Sequence, residues 1–165
     1  MAGNTRRGCA DTDEVFKGCC LKMAKMSLKY DTFYTGCARG MDIIFGRLVM
    51  VVKATSYAHI RLIGVVPHEG QANHWSESWR NRYFALLAQA DDVVTLSARY
   101  FDGCYQARNR YMVDAADALL AVCREGASGG TQYTVKYAWQ KNRELVVIDP
   151  DTLERRLLPP RLTTF

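Results

Sequence analysis

Long apolar runs are missing from this sequence: the longest candidates, around Leu48–Val52 and Leu145–Ile148, stop well short of the ~20 residues a membrane helix needs. No membrane partner is therefore expected. Cys-x-x-Cys spacing is missing too. The cysteines Cys9, Cys19, Cys20, Cys37, Cys104 and Cys123 form no compact framework, which argues against a disulfide scaffold or a zinc ribbon. With no secretory leader read ahead of them, they are expected to be reduced, in the cytoplasm. Histidine is scarce, and His68, Glu69 and His74 share a loop without the His-Glu-x-x-His spacing of a helical metal site. They read as loop residues, with no metal implied. There is no internal repeat and no low-complexity segment.

What the chain does have is an ordinary globular balance: 165 residues, 48% hydrophobic and 24% charged. That length fits one domain, residues 1–165, able to bury roughly 70% of its unfolded surface without staples. The net charge of +5 permits an anionic ligand, yet it is too small and too dispersed to mark a nucleic-acid binder by itself.

Along the chain, Met1–Asp13 has neither a two-residue nor a helical apolar period and is expected to be irregular. Asp13 can cap a helix in which Val15, Cys19, Met23, Met26 and Tyr30 recur at helical spacing, with Lys17, Lys22, Lys25 and Lys29 on the other face. Thr32–Thr35 reads as a strand, and Ile44, Leu48 and Val51 mark the inward side of the next helix. Ile60–Val66, closed by Pro67, is the continuous apolar run of a parallel strand covered on both faces. A helix over Trp75–Ala90 turns Trp79, Tyr83, Leu86 and Ala90 to one side, and Val93–Leu96 follows as a strand. The helix Tyr105–Ala116 is expected to turn Tyr111 and Met112 inward and to leave Arg108 and Arg110 available. Then come strand Ala118–Val122, helix Thr131–Gln140 and strand Leu145–Ile148. The tail Asp151–Phe165 carries Pro159 and Pro160, with room for an edge strand at Thr152–Leu157.

Strand and helix alternate throughout, so the fold class is α/β: a three-layer, Rossmann-like domain with a mainly parallel sheet. Ligands of such sheets sit outside the carboxyl ends of the strands, and four loops converge there: Gly36–Asp42, Pro67–Asn73, Ser97–Arg110 and Gly129–Thr131. Gly129-Gly130-Thr131 opens a helix after a strand, where free backbone N–H groups and the helix dipole favour an anion. Arg108, Asn109 and Arg110 supply donors suited to phosphate oxygens. Gly36, Arg39, Gly40 and Asp42 belong to an earlier glycine turn. A nucleotide is the ligand this pattern suggests.

The run Gly103-Cys104-Tyr105-Gln106-Ala107-Arg108-Asn109-Arg110-Tyr111-Met112-Val113-Asp114, followed by Gly129-Gly130-Thr131-Gln132-Tyr133-Thr134-Val135, resembles the YpsA-like family of the SLOG superfamily. Gly36-Cys37-Ala38-Arg39-Gly40-Met41-Asp42 is similar to that family's earlier loop, and Trp79-Arg80-Asn81-Arg82-Tyr83 to its intervening helix, so the likeness runs from about Thr35 to Pro150. It implies a Rossmann-like domain that binds a nucleotide-derived ligand such as ADP-ribose or a nucleoside monophosphate. Gly36, Arg39, Gly40 and Asp42 would form one side of the pocket and Arg108, Asn109 and Arg110 another, while Gly129, Gly130 and Thr131 would hold phosphate. Related domains form oligomers, so a homo-oligomer is implied without a marked interface.

Two departures stand out. Family members usually begin with an apolar strand ending in a Gly-His-Arg-like turn, whereas Met1–Asp13 offers only Gly3-Asn4-Thr5-Arg6, so the N-terminal strand is atypical or missing. The related LOG enzymes, which hydrolyse the N-glycosidic bond of cytokinin ribotides, carry a Glu three residues after their Gly-Thr pair, where this chain has Thr134. No catalytic residue is assigned, and no cofactor is implied. The first reading is a nucleotide sensor or binding protein, in which Arg108→Ala or Thr131→Ala weakens binding and leaves the fold intact. A hydrolase of nucleotides, with Asp42, Asp114 or Glu69 as carboxylates, and a single-stranded nucleic-acid binder resembling DprA are the alternatives.

Overall fold

The computed structural model of the protein describes residues 28–158, except 125 and 127. The irregular segment expected at Met1–Asp13, most of the lysine-faced helix after it, and the tail with Pro159 and Pro160 lie outside the described residues. Within them the order is β1 (Thr32–Thr35), α1 (Met41–Thr55), β2 (Arg61–Val66), α2 (Glu77–Gln89), β3 (Asp92–Thr95), α3 (Cys104–Ala115), β4 (Ala118–Val122), α4 (Gly130–Gln140), β5 (Glu144–Ile148) and β6 (Arg155–Leu158).

The strands form two three-stranded sheets, in the orders β1-β2-β3 and β4-β5-β6. β2 pairs in parallel with β1 and β3, Phe33 lying opposite Leu62 and Val65 opposite Val94. β5 pairs in parallel with β4 and antiparallel with β6. This is the α/β, three-layer, Rossmann-like arrangement, with its parallel strands divided between two sheets. Local patterns declare a strand but not its neighbours, so the division had no signature in the sequence.

Side-chain alternation builds the layers, because successive residues of a strand point to opposite faces. Ala118, Leu120 and Val122 of β4 pack into one large cluster with Phe33, Ile43, Leu48, Leu62, Tyr83 and Leu86, which joins α1 and α2 to one face. Leu119 packs instead with Val113, Val135, Ala138 and Leu145, under α3 and α4 on the other. β2 lies at the centre of the larger cluster, buried from Leu62 to Val66. Asp91 ties this half together: its carboxylate accepts the Leu62 N–H at 2.8 Å and pairs with Lys53 of α1.

Some inward faces differ from expectation. α1 buries Ile43, Gly46, Leu48 and Val49, while Val51 is 55% exposed. Met41–Val52 is apolar almost all round, so its periodicity could not choose the stripe. In α3 the buried side chains are Cys104, Arg108, Asn109 and Val113, and Tyr111 is turned outward. Here two polar residues take the inward positions because they have bonding partners there. Trp75 stands before α2 in a turn closed by its N–H on the Ala72 carbonyl, its ring edge-on to Tyr83. No described helix is long and apolar enough to cross a membrane.

Candidate functional site

A cavity of about 890 Å³ runs between the two sheets, lined along its length by β1 and β4. Each has one edge without a partner among the described residues, as β3 and β6 have on the far sides. At the amino ends of the strands, Lys29 and Tyr30 both donate to the Glu144 carboxylate. At the carboxyl ends the cavity is walled by Gly36, Arg39, Asp42, Tyr105, Arg108, Asn109, Gly130, Thr131 and Thr134.

Gly129 reaches φ 125° and ψ −167° to start α4, a conformation that side-chain-bearing residues rarely adopt. A Cβ placed on Gly129 or Gly130 would meet nothing within 4 Å, so the space beside this helix start is open. The first amides of α4 have no carbonyl ahead of them in the helix, and the first bond back comes from Tyr133 N–H to the Gly129 carbonyl. Thr134 secures the turn: its hydroxyl donates to the Gly130 carbonyl and accepts from Asn109 Nδ2, each at 2.8 Å. The position that carries a carboxylate in LOG enzymes is thus a buried strut between α3 and α4.

Arg108 is 6% exposed. Its Nη1 donates to the Gly36 carbonyl at 2.5 Å, its Nε donates to Asn109 Oδ1 at 2.9 Å, and Asp42 Oδ2 lies 3.8 Å from Nη1. Gly36 has to be glycine for this approach, since a Cβ there would lie 2.5 Å from Arg108 Nη1 and 2.7 Å from Asp42 Oδ2. Asp42 also accepts the Ala38 N–H at 3.3 Å. Desolvation in the cavity wall nevertheless pushes its carboxyl above the ordinary range, against the pull of Arg108 and that N–H. Burial raises the neighbouring Cys37 thiol to about 12, so at neutral pH it is no nucleophile. Arg39 is exposed at the rim, its guanidinium 5.7 Å from the Trp75 ring centre.

The structure therefore brings together Gly36, Arg39, Asp42, Arg108, Asn109, Gly130 and Thr131 around one cavity. Gly40 and Gly129 set the backbone at the starts of α1 and α4. Arg110 lies on the outer side of α3 and donates to Tyr133 Oη at 3.2 Å. Of the other carboxylates, Asp114 is exposed and held by Lys141 at 3.0 Å and by Tyr137. Glu69 faces a separate cavity. Among the described residues no three His, Cys, Asp or Glu side chains cluster as a metal site. Sequence reasoning passed over Gln71, whose Nε2 donates to the Cys37 carbonyl at 2.9 Å, and Tyr105, whose ring lies 5.9 Å from the Arg108 guanidinium. The signal for Gln71 was its place in the loop after Pro67, at the carboxyl end of β2.

Comparison with known proteins identifies the family. The YpsA family model, described as the YspA SLOG family, matches residues 14–153. A UPF0398 protein of Shouchella clausii is 33% identical over 126 residues, covering 75% of this chain and 64% of that protein. A UPF0398 protein of Halalkalibacterium halodurans is 29% identical over 121 residues, covering 70% and 64%, and one of Bacillus cereus is 31% identical over 104 residues, covering 62% and 56%. The aligned part of the chain thus spans under two thirds of each relative's length, and their names state no activity. With the glycine loops, the buried Arg-Asn pair and the helix start at Gly129–Thr131 arranged around one cavity, the chain belongs to the YpsA-like SLOG family.

Proposed function

We propose that this protein binds a nucleotide or nucleotide-derived anion, such as ADP-ribose or a nucleoside monophosphate, at the carboxyl ends of its parallel strands, as a sensor or binding protein. The observation that carries the reading is the open start of α4, with free amides from Gly130 onward facing a cavity whose opposite wall holds Arg39 and Arg108. Such a helix start is an anion seat in its own right, and the two guanidinium groups add the positive field that retains a phosphate.

The test removes a donor without disturbing the frame. Gly130→Pro deletes one amide at the first position of the helix, where proline is well tolerated. A lost charge-assisted hydrogen bond is worth about 1.5 to 3 kcal/mol, so affinity for ADP, read by calorimetry, should fall about tenfold or more at unchanged melting temperature. Unchanged affinity counts against the phosphate seat.

One observation favours a second reading, hydrolysis of an N-glycosidic bond: Asp42 is a carboxyl in the cavity wall, held above its ordinary range and so suited to donate a proton. Release of free base from nucleoside monophosphates, abolished by Asp42→Asn, would establish it. Cys37, Cys104 and Cys123 are free thiols, which suits a reducing compartment such as the cytoplasm, and self-association into a homo-oligomer completes the proposal.

A further inference from the structure

Along the cavity between the two sheets, the backbone itself is left unanswered. In a parallel ladder, successive residues turn their N–H and C=O groups to opposite sides. The Asp31 carbonyl accepts from the Arg61 N–H on the β2 side, so Thr32 and Tyr34 turn theirs toward the cavity. Gly36 continues that row, and its carbonyl is answered by Arg108 Nη1. On β4, the Asp117 carbonyl accepts from the Glu144 N–H and the Cys123 N–H donates to the Ile148 carbonyl, so Ala118, Leu120 and Val122 face the cavity in the same way. Neither row has a strand partner among the described residues. Both strands run in one direction, because β4 is parallel to β5 and Lys29, just ahead of β1, bonds to Glu144 at the start of β5. Burial reflects the open edge: β2, paired on both sides, is buried from Leu62 to Val66, whereas β4 is half-buried except at Ala121. The cavity is apolar on both faces, with Met41 and Phe45 from α1 on one and Met112 and Val113 from α3 on the other.

We propose that the gap between β1 and β4 is a strand-acceptor site, which takes an extended, apolar segment of another polypeptide and joins the two sheets into one. The inference stands apart from the anion reading, which concerns the carboxyl end of the cavity. An extended backbone offers donors and acceptors to both sides at the repeat of the two open rows, whereas a small molecule at one end leaves the rest unanswered. Addition of a strand to open edges is a known mode of peptide recognition, in which the backbone supplies affinity and side-chain pockets supply selectivity. Here both faces of the inserted segment lie against apolar walls, so it is apolar throughout and favours β-branched residues. The four residues of β1 and five of β4 set its length. The chain's own terminal sequences fit poorly. Met1–Asp13 carries Asn4, Arg6, Arg7, Asp11 and Asp13, which are costly to bury. The sequence after Leu158 departs from β6, on the far side of the second sheet, and opens with Pro159 and Pro160, which have no N–H for a ladder. A second copy offers the same sequences, so the partner is a different polypeptide.

The probe is a set of lysine-ended peptides about six residues long, with valine, isoleucine or leucine at every central position, titrated into the isotope-labelled full chain. The expected result is saturation at one peptide per chain, with movement of the amide NMR signals of Thr32, Tyr34, Ala118, Leu120 and Val122 and none along the open edges of β3 and β6. Methylating alternate nitrogens of the peptide removes backbone donors and keeps the side chains, and should weaken binding at least tenfold. In the protein, Ala118→Pro removes one donor at the first position of a strand, where proline is tolerated, and should weaken binding about two- to tenfold. The proposal is overturned if no peptide of the set binds, if the signals of β3 or β6 move as much as those of β1 and β4, or if the methylated peptides bind as well as their parents. It is also overturned if the unaltered chain alone shows through-space contacts from the Thr32 or Leu120 amides to Met1–Asp13, or contacts to a second copy that grow with concentration, because the gap is then already filled.

Discussion

The two halves of the molecule are built from the same alternation of strand and helix and hold together by different means. In the half made of β1, β2, β3, α1 and α2, a large cluster of fully buried aliphatic and aromatic side chains surrounds β2. The half made of β4, β5, β6, α3 and α4 lends Ile148 and one face of β4 to that cluster, while the buried apolar cluster of its own is reduced to Val113, Ala138 and Leu145 with partly buried neighbours. Its helices are joined in addition by the Asn109–Thr134 hydrogen bond, with Arg108 bracing Asn109. One half is scaffold; the other spends its interior positions on polar groups that shape a cavity.

If that contrast is right, truncating the apolar interior should hurt the first half most. Leu48→Ala, at a fully buried position, is expected to cost about 2 to 5 kcal/mol. Leu119→Ala, half-buried in β4, should cost only about 1 to 2 kcal/mol. Urea titration measures both, and equal losses would erase the distinction between the halves.

Arg108→Ala comes next. It strands the Gly36 carbonyl and loosens Asn109, at about 1 to 3 kcal/mol. Thermal melting without ligand checks it, and an unshifted transition would mean that the polar framework of the second half contributes nothing to its stability.

The smallest effects concern two carboxylates. Asp91 in the first half is held below its ordinary value of 3.8, chiefly by Lys53 and then by the Leu62 N–H. A carboxylate with a lowered folded value lends stability that is present above its unfolded value and is lost as pH falls through the folded one. Asp91→Asn should therefore lower the melting temperature at neutral pH and make it less sensitive to acid below about pH 4. Asp114 in the second half is also lowered, first by Lys141, but it is exposed, so Asp114→Asn should show a weaker version of the same change that fades in high salt. A salt-resistant effect at Asp114 larger than that at Asp91 would reverse the comparison.

Much of the frame was legible because it depends on local pattern. The apolar run before Pro67 became β2, and Gly129-Gly130-Thr131 became the start of α4. What sequence could not give was direction and commitment. Arg108 and Arg110 look equivalent as donors in sequence, yet one turns into the cavity wall and satisfies a backbone carbonyl while the other points outward to Tyr133. His68 and Gln71 look like ordinary loop residues, yet both are buried, His68 edge-on to Tyr100 and Tyr105 and Gln71 bonded to the Cys37 carbonyl. Helical spacing states which residues share a face; tertiary partners decide which face is inside.

In most parallel sheets the innermost strands hold their amide protons longest, because both of their edges are paired. Here β1 and β4 border the central cavity with one edge each unpaired among the described residues. Alternate amides of Thr32–Thr35 and Ala118–Val122 should therefore trade hydrogen for deuterium early, while those of β2 and β5, flanked on both sides, persist. The exchange map of this molecule should open early in its middle as well as at its outer strands β3 and β6, and whatever fills the space between the two sheets would announce itself by slowing the middle protons alone.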